Sequence, residues 1–228
     1  MSVVVITGAE QGLGLALARL YANDGFRVVA GCLNPNLEGI VALAASSPQV
    51  EVIPLDVTSE SSVAAFGDRL SGQAVDLLIN NAGIHRRKGS APESVVFSDW
   101  EDTLRVNTLG VARISFALRA NLVMAAQARL VTISSDWASV SQHPGTAYDY
   151  CSSKAAVNSV MRGMAMNWAK DGVIILMVHP GWTRTKMGGA DAPLLPEDSA
   201  SRVKSLISRT TTADNGRYVD NLGSDMPW

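Results

Sequence analysis

The segment TAYDYCSSK, residues 146–154, holds two tyrosines and one lysine within nine positions. A phenol with a pKa near ~10 is a poor acid at neutral pH. A lysine one helical turn away changes that. Tyr150 and Lys154 stand four apart and share a helix face, whereas Tyr148 and Lys154 stand six apart and do not. Two unit charges about 4 Å apart interact by ~4 kcal/mol at an effective dielectric near ~20. That is enough to bring a phenol towards a pKa of ~7, where it serves as a general acid or base. Such a tyrosine gives a proton to a carbonyl oxygen as hydride reaches its carbon, and removes the alcohol proton in reverse. A serine of ISS, 133–135, is placed to hold that oxygen. Taken alone, the same residues also describe a plain helix start with a surface lysine.

A glycine loop supplies the context. TGAEQGLG, 7–14, carries Gly8, Gly12 and Gly14 after an apolar run. The spacing G-x-x-x-G-x-G differs from the common dinucleotide fingerprint but performs the same task. It turns the backbone tightly and lets it approach a pyrophosphate. The following helix offers its free N–H groups and positive dipole end. Further polar or small residues follow other apolar runs: Asp56 and Val57, then Asn80 to Gly83, Ser134 and Ser135, and Pro180, Gly181 and Thr185. Each group alone is ordinary turn chemistry. Together they fall on one edge of a sheet, where ligands bind in such folds. Lys154 is then also within reach of a cofactor ribose.

These residues need a scaffold. Strands are expected at 3–7, 27–32, 50–55, 75–80, 128–134, 173–179 and 216–220, mostly as continuous apolar runs. Such runs suit parallel strands buried on both faces. Helical segments alternate with them, near 13–23, 36–46, 59–71, 98–127, 150–170 and 197–208. The pattern predicts an α/β fold, one domain over 1–228, with a doubly wound parallel sheet of about seven strands and helices on both faces. No apolar run reaches the ~18–20 residues of a membrane span. MSVVVITG reads as a strand and not as a leader. A net charge of −2 argues against nucleic-acid binding. The basic cluster HRRK, 85–88, reads as a solvated loop. Cys32 and Cys151 make no disulfide framework, and no metal-ligand spacing occurs. A reducing cytoplasm is the expected location. Cys151 fits a small residue at a helix start better than a nucleophile.

In sum of its motifs the chain resembles the short-chain dehydrogenase/reductase family. The residues that carry this are T-G-x-x-x-G-x-G (7–14), N-N-A-G (80–83), the asparagine of VNTLG, the serine of ISS, Y-x-x-x-K (150–154) and P-G-x-x-x-T (180–185). YDYCSSKAAVN, HPGWTRTKMGG and GRYVDNLGSDMPW are similar to the C-factor and sniffer-type carbonyl reductase branch. The resemblance implies a Rossmann-like fold, an NAD or NADP cofactor and a catalytic set of Asn107, Ser135, Tyr150 and Lys154. Asn107 would hold a water that joins Lys154 to solvent. Thr7, Gly8, Gln11, Gly12, Leu13 and Gly14 would form the phosphate loop, with Leu33 near the adenosine ribose. Asp56 and Val57 would border the adenine, and Asn80, Ala82 and Gly83 the ribose side. Tyr150, Lys154, Pro180, Gly181, Trp182, Thr183 and Thr185 would complete the cofactor site. Ser135 and Tyr150 are 15 apart, longer than the family's usual spacing, which implies an extended substrate loop at 136–149.

The cofactor's second phosphate finds little help in the sequence. The glycine loop carries Glu10 and Gln11, and Leu33 stands where this branch commonly has arginine. The acid that NAD users place after strand two is missing too, with Gly31 and Cys32 there. Losing a charge-assisted contact costs a 2′-phosphate roughly 1.5–3 kcal/mol. The branch implies NADPH, while local chemistry leans towards NAD or a relaxed choice, unless Arg19 or Arg27 supplies the charge. Loops 84–97, 136–149 and 182–196 are expected to build the substrate pocket, with Trp137, His143, Tyr148 and Trp182 as candidate walls for a small apolar carbonyl compound. Each of those four fits loop packing as well. The helices near 98–127 and 150–170 are the family's usual self-association surface, so a homodimer or homotetramer is expected. A sensor or signalling protein on a retained dehydrogenase fold is the alternative function.

Overall fold

A computed structural model of the protein describes residues 1–86 and 94–228. Part of loop 84–97, including Arg87 and Lys88 of the basic cluster, lies outside the described residues. Seven parallel strands form one sheet in the order β3-β2-β1-β4-β5-β6-β7. They are β1 Val3–Thr7, β2 Arg27–Cys32, β3 Val50–Pro54, β4 Leu77–Asn80, β5 Arg129–Ile133, β6 Ile174–His179 and β7 Tyr218–Asp220. The order reverses between β1 and β4. At such a point neighbouring connections leave on opposite faces and open a crevice at the carboxyl ends of the strands.

Both faces of the sheet are covered, which explains the unbroken apolar runs. Val3 and Val5 pack into one core cluster, while Val4 and Ile6 pack into the other. The first cluster lies beneath α3 (Glu60–Arg69), α5 (Val111–Ala117) and α7 (Tyr148–Trp168). The second lies beneath α1 (Gly12–Asn23), α2 (Glu38–Ser46) and α8 (Pro196–Ser208). Pro196 opens α8, where its missing N–H costs nothing. Among the described residues no helix is long and apolar enough to cross a membrane.

Two helical expectations need correction. The stretch 98–127 is not one helix. It is α4 (Phe97–Leu104), a π-helical turn at Arg105–Gly110, α5 and a short α6 (Arg119–Val123). The buried Asn107 sits in the π turn, where its amide is bound to another segment. The second correction concerns α7, which begins at Tyr148 and not Tyr150. Ala147 precedes it with φ 49°, a left-handed conformation rare for a residue with a Cβ. This sharp entry ends the 136–149 loop two residues earlier than expected.

Candidate active site

The carboxyl ends of the strands surround a cleft of about 790 Å³. Gly8, Gln11, Gly12 and Leu13 line it, and Gly8 and Gly12 have φ of 65° and 55°. A Cβ on Gly8 would stand 2.9 Å from the Ala82 Cα, so only glycine fits that approach. The loop is tied to the end of β4. The Thr7 hydroxyl accepts from the N–H groups of Asn81 and Ala82 at 3.1 and 3.0 Å. The Asn81 amide donates to the Thr7 and Gly8 carbonyls at 3.0 and 2.9 Å. Gln11 precedes α1 without a side-chain cap, and no acid stands in that helix's first turn. Free N–H groups and a positive dipole end therefore face the cleft, which fits the pyrophosphate of a dinucleotide.

Two serines follow β5 and do different things. The Ser134 hydroxyl turns inward and donates to Asn158 Oδ1 at 2.7 Å. Ser135 faces the cleft, where its hydroxyl donates to Asp136 Oδ1 at 3.0 Å. Tyr150 and Lys154, on adjacent turns of α7, face the same space. Lys154 Nζ lies 5.7 Å from the Tyr150 ring centre and donates to the Ile133 carbonyl at 2.8 Å. His85 also lines the cleft and stacks on the Tyr150 ring, 4.5 Å between centres at 24°.

The electrostatics differ from the simple pair picture. Burial pushes the Tyr150 phenol up to about 12; its hydrogen bond with Ser135 pulls it back only partly, and Asp136 adds to the rise. Burial also pushes the Lys154 ammonium down to about 8. Desolvation penalises both charged forms and is the largest cause of both shifts. The phenol expected from i,i+4 spacing to be depressed is thus raised instead.

The lining places most of the residues singled out by sequence. Leu33, Asp56, Val57, Ala82, Gly83, Pro180, Gly181, Trp182, Thr183 and Thr185 all border the cleft. Thr7, Gly14, Asn80 and Asn107 stand behind it. Asn80 donates to Ser115 Oγ at 2.9 Å, on the α5 side. A Cβ on Gly14 would lie 2.2 Å from the Gly8 carbonyl oxygen, so this glycine serves helix-to-loop packing. The Asn107 amide accepts from the Ile84 N–H at 2.8 Å and donates to the Ile84 carbonyl and Ser153 Oγ at 2.9 and 3.0 Å. It locks the 80–84 segment onto α7. Trp137 and Trp182 line the cleft, whereas His143 and Tyr148 stack on each other outside it, and Tyr148 continues onto Trp100. Cys151 is buried, its thiol pushed up to about 11, and packs at the helix start.

Four contributors escaped the sequence reading as site residues: His85, Asp136, His179 and Tyr218. His179 ends β6 immediately before Pro180 and Gly181, so its place at a strand end was a usable signal. Tyr218 was not legible, because its contact with Ser135 spans 83 residues.

A glycine phosphate loop at a switch point, beside a serine, a buried tyrosine and a buried lysine, defines a dinucleotide-dependent oxidoreductase. A family model described as short chain dehydrogenase matches residues 2–193. C-signal of Myxococcus xanthus is 34% identical over 165 residues, covering 72% of this chain and 99% of that one. A 1-hydroxy-2-glutathionyl-2-methyl-3-butene dehydrogenase of Rhodococcus sp. (strain AD45) is 31% identical over 237 residues, covering 100% of both. NADPH-bound carbonyl reductase from chicken fatty liver superposes with a TM-score of 0.92 at 29% identity, again over 100% of both chains. The chain belongs to the short-chain dehydrogenase/reductase family and is an NAD(P)-dependent oxidoreductase.

Proposed function

We propose that the protein reduces small or medium apolar carbonyl compounds, or oxidises the matching alcohols, with Tyr150 as general acid or base. The observation that carries this is the convergence of Ser135, Tyr150 and Lys154 on the cleft that the glycine loop also lines. The glycine loop, Lys154 and Thr185 would hold a nicotinamide cofactor, which would supply or accept the hydride. Ser135 holds the substrate oxygen, and Tyr150 transfers the proton at that oxygen. Lys154 binds the cofactor ribose and supports the phenol's charge. Asn107, locked to Ile84, fixes the wall behind Lys154. Trp137, Trp182, Val106 and Met187 supply the apolar surface around the reacting carbon. The loop 182–196 is short and internally bonded, with Trp182 Nε1 donating to the Gly188 carbonyl at 2.9 Å and Arg184 N–H to Leu194 at 2.8 Å. It favours an open site over a large lid.

Cofactor choice in this reading leans to NAD(H). Arg27 lies at the opposite end of β2 and pairs with Glu51 at 2.8 Å, so it is not available to a 2′-phosphate. Arg19 is not among the residues that line the cleft. Leu33 is 68% exposed at the cleft edge, and Glu10 is buried there with Oε2 unbonded among the described residues. A panel of ketones, aldehydes and alcohols, run with both cofactors and followed by nicotinamide absorbance, tests activity and preference together. Turnover of apolar carbonyls with NADH at least comparable to NADPH is expected. No turnover across the panel overturns the reading. An NADPH preference above ~100-fold, worth about 2.7 kcal/mol, overturns the cofactor part alone.

The similarity to C-signal gives a signalling role its one specific support. Biological function that survives in a turnover-dead Tyr150→Phe protein would favour it. Self-association is proposed through the face that carries Leu109, Phe116 and Met166, which are 51%, 60% and 75% exposed. A dimer or tetramer mass at micromolar concentration is expected; a monomer mass refutes it.

A further inference from the structure

One peptide group in the site is held at both of its polar ends by side chains from other strands. The carbonyl of Ser135 accepts from the Tyr218 hydroxyl on β7. The N–H of Asp136, in the same peptide unit, donates to His179 Nδ1 at 3.0 Å. A trans peptide points its C=O and N–H in opposite directions. Two such contacts therefore fix both the position and the tilt of the plane that carries Ser135. Ser135 itself is extended, at φ −157° and ψ 154°. Asp136 Oδ1 accepts from the Ser135 hydroxyl and from the Trp137 N–H, each at 3.0 Å, and stands 3.6 Å from His179 Nδ1.

We propose that His179 is a positioning residue for Ser135: its imidazole, accepting at Nδ1, sets the Ser135–Asp136 peptide and so aims the hydroxyl that works with Tyr150. The inference rests on the roles given to Ser135 and Tyr150 above. It adds a residue that borders the cleft and acts through Ser135.

Acceptance at Nδ1 requires that atom to carry no proton, so the single ring proton sits on Nε2. A second proton would set N–H against N–H at the Asp136 amide. It would also place a cation 3.6 Å from the carboxylate oxygen that the Ser135 hydroxyl uses. An ion pair outcompetes a hydrogen bond in which the carboxylate alone is charged. Asp136 would turn to the imidazolium, and Ser135 would lose its acceptor as its peptide loses its anchor. Two carboxylates act on His179: Asp136 from the segment after β5, and Asp220, its register partner on β7. Both favour the cation, but burial of the ring opposes them and prevails, holding His179 below its ordinary value. The acceptor form is therefore the one present at neutral pH. The Tyr218 phenol, raised by burial, keeps its proton throughout. One end of the peptide is permanent and the other titrates.

The test compares the parent with His179→Asn and His179→Ala. The asparagine Oδ1 lies close to the position of the imidazole Nδ1, accepts the same bond and does not titrate. In His179→Ala, kcat should fall at least about tenfold, towards the ~10²-fold of a 1 Å misplacement, with KM for the cofactor near the parent's. In His179→Asn, kcat should stay near the parent's while the acid-side fall of activity, which sets in below the ordinary imidazole value, disappears. ¹⁵N NMR of the imidazoles in cofactor-free protein should show His179 protonated at Nε2 only, with the Asp136 amide moving at the His179 midpoint. That spectrum needs no turnover, so it remains decisive if carbonyl reduction itself is disproved or if His179→Ala does not fold. An Nδ1-protonated tautomer at neutral pH overturns the proposal. So does an acid limb unchanged in His179→Asn, or parental kcat in His179→Ala.

Discussion

Replacing Tyr150 with phenylalanine lowers kcat for carbonyl reduction by about 10²–10⁴-fold, the usual share of a positioned general acid. The cofactor Kd should change little, because the glycine loop and its ties to Asn81 are untouched. The fold should survive as well, since the ring keeps its stack on His85 and its packing against Trp137. Direction matters. Burial pushes the phenol up to about 12, so it carries its proton at any ordinary pH. Reduction uses that protonated form, and its rate should not depend on Tyr150 titration near neutrality. Alcohol oxidation needs the deprotonated form, which becomes commoner as pH rises towards the phenol's value. The parent's oxidation rate should therefore climb on the alkaline side, and the climb should be absent in Tyr150→Phe. Steady-state kinetics in both directions checks this. Reductive turnover within a few fold of the parent's would remove Tyr150 from the chemistry.

The sheet was legible because its strands are apolar on both faces. Val3 to Ile6 read as one run, and the structure divides them between two core clusters by alternation. Strand limits shifted by one or two residues where the apolar run outlasts the ladder, as at Val75, which is buried but precedes β4. The helical stretch 98–127 failed as a single element at a contact with another segment. The Asn107 side chain bonds Ile84, 23 residues away, where the chain widens to a π turn instead of continuing its ladder. Nothing in the 3.6-residue period records that contact.

The site was legible where chemistry follows spacing, as at Tyr150 and Lys154, or where residues follow strands. It was less legible where an orientation decides. Ser134 and Ser135 have the same type and near-identical context, yet one bonds Asn158 in the core and the other faces the cleft. Tyr148 looked like a pocket wall on a loop, but the left-handed Ala147 starts the helix early and turns Tyr148 onto Trp100. The charge states were the least legible. Spacing gives the attraction between Lys154 and Tyr150, while desolvation depends on everything packed around them, which the sequence does not show as a pattern.

Lys154 has the second large expected effect, and it separates activity from stability. Replacing it with methionine keeps most of the side-chain volume and removes the charge. Reductase turnover should fall by about 10²-fold or more, because the phenol loses its cationic neighbour. Stability should move differently. Lys154 is 5% exposed and its ammonium is held down to about 8. Below pH 8 it is protonated in both folded and unfolded chains, and the parent bears the full cost of the buried charge. Between pH 8 and about 10.5 the unfolded chain holds a proton that the folded one has shed, so the Lys154 contribution to stability rises with pH. The whole rise is about 3 kcal/mol by that linkage. The buried thiols Cys32 and Cys151, raised to about 12 and 11, act in the opposite sense above their ordinary values in both proteins. The difference between parent and variant cancels them. At neutral pH the lost bond from Nζ to the Ile133 carbonyl, on the order of 1.5–3 kcal/mol, offsets much of the relief, so Lys154→Met should be near parental stability or above it. On titration to pH 10.5 the parent should gain on the variant by about 3 kcal/mol. Urea unfolding of both cofactor-free proteins from pH 7 to 10.5 measures this, and parallel curves would mean that the Lys154 ammonium is not depressed in the folded protein.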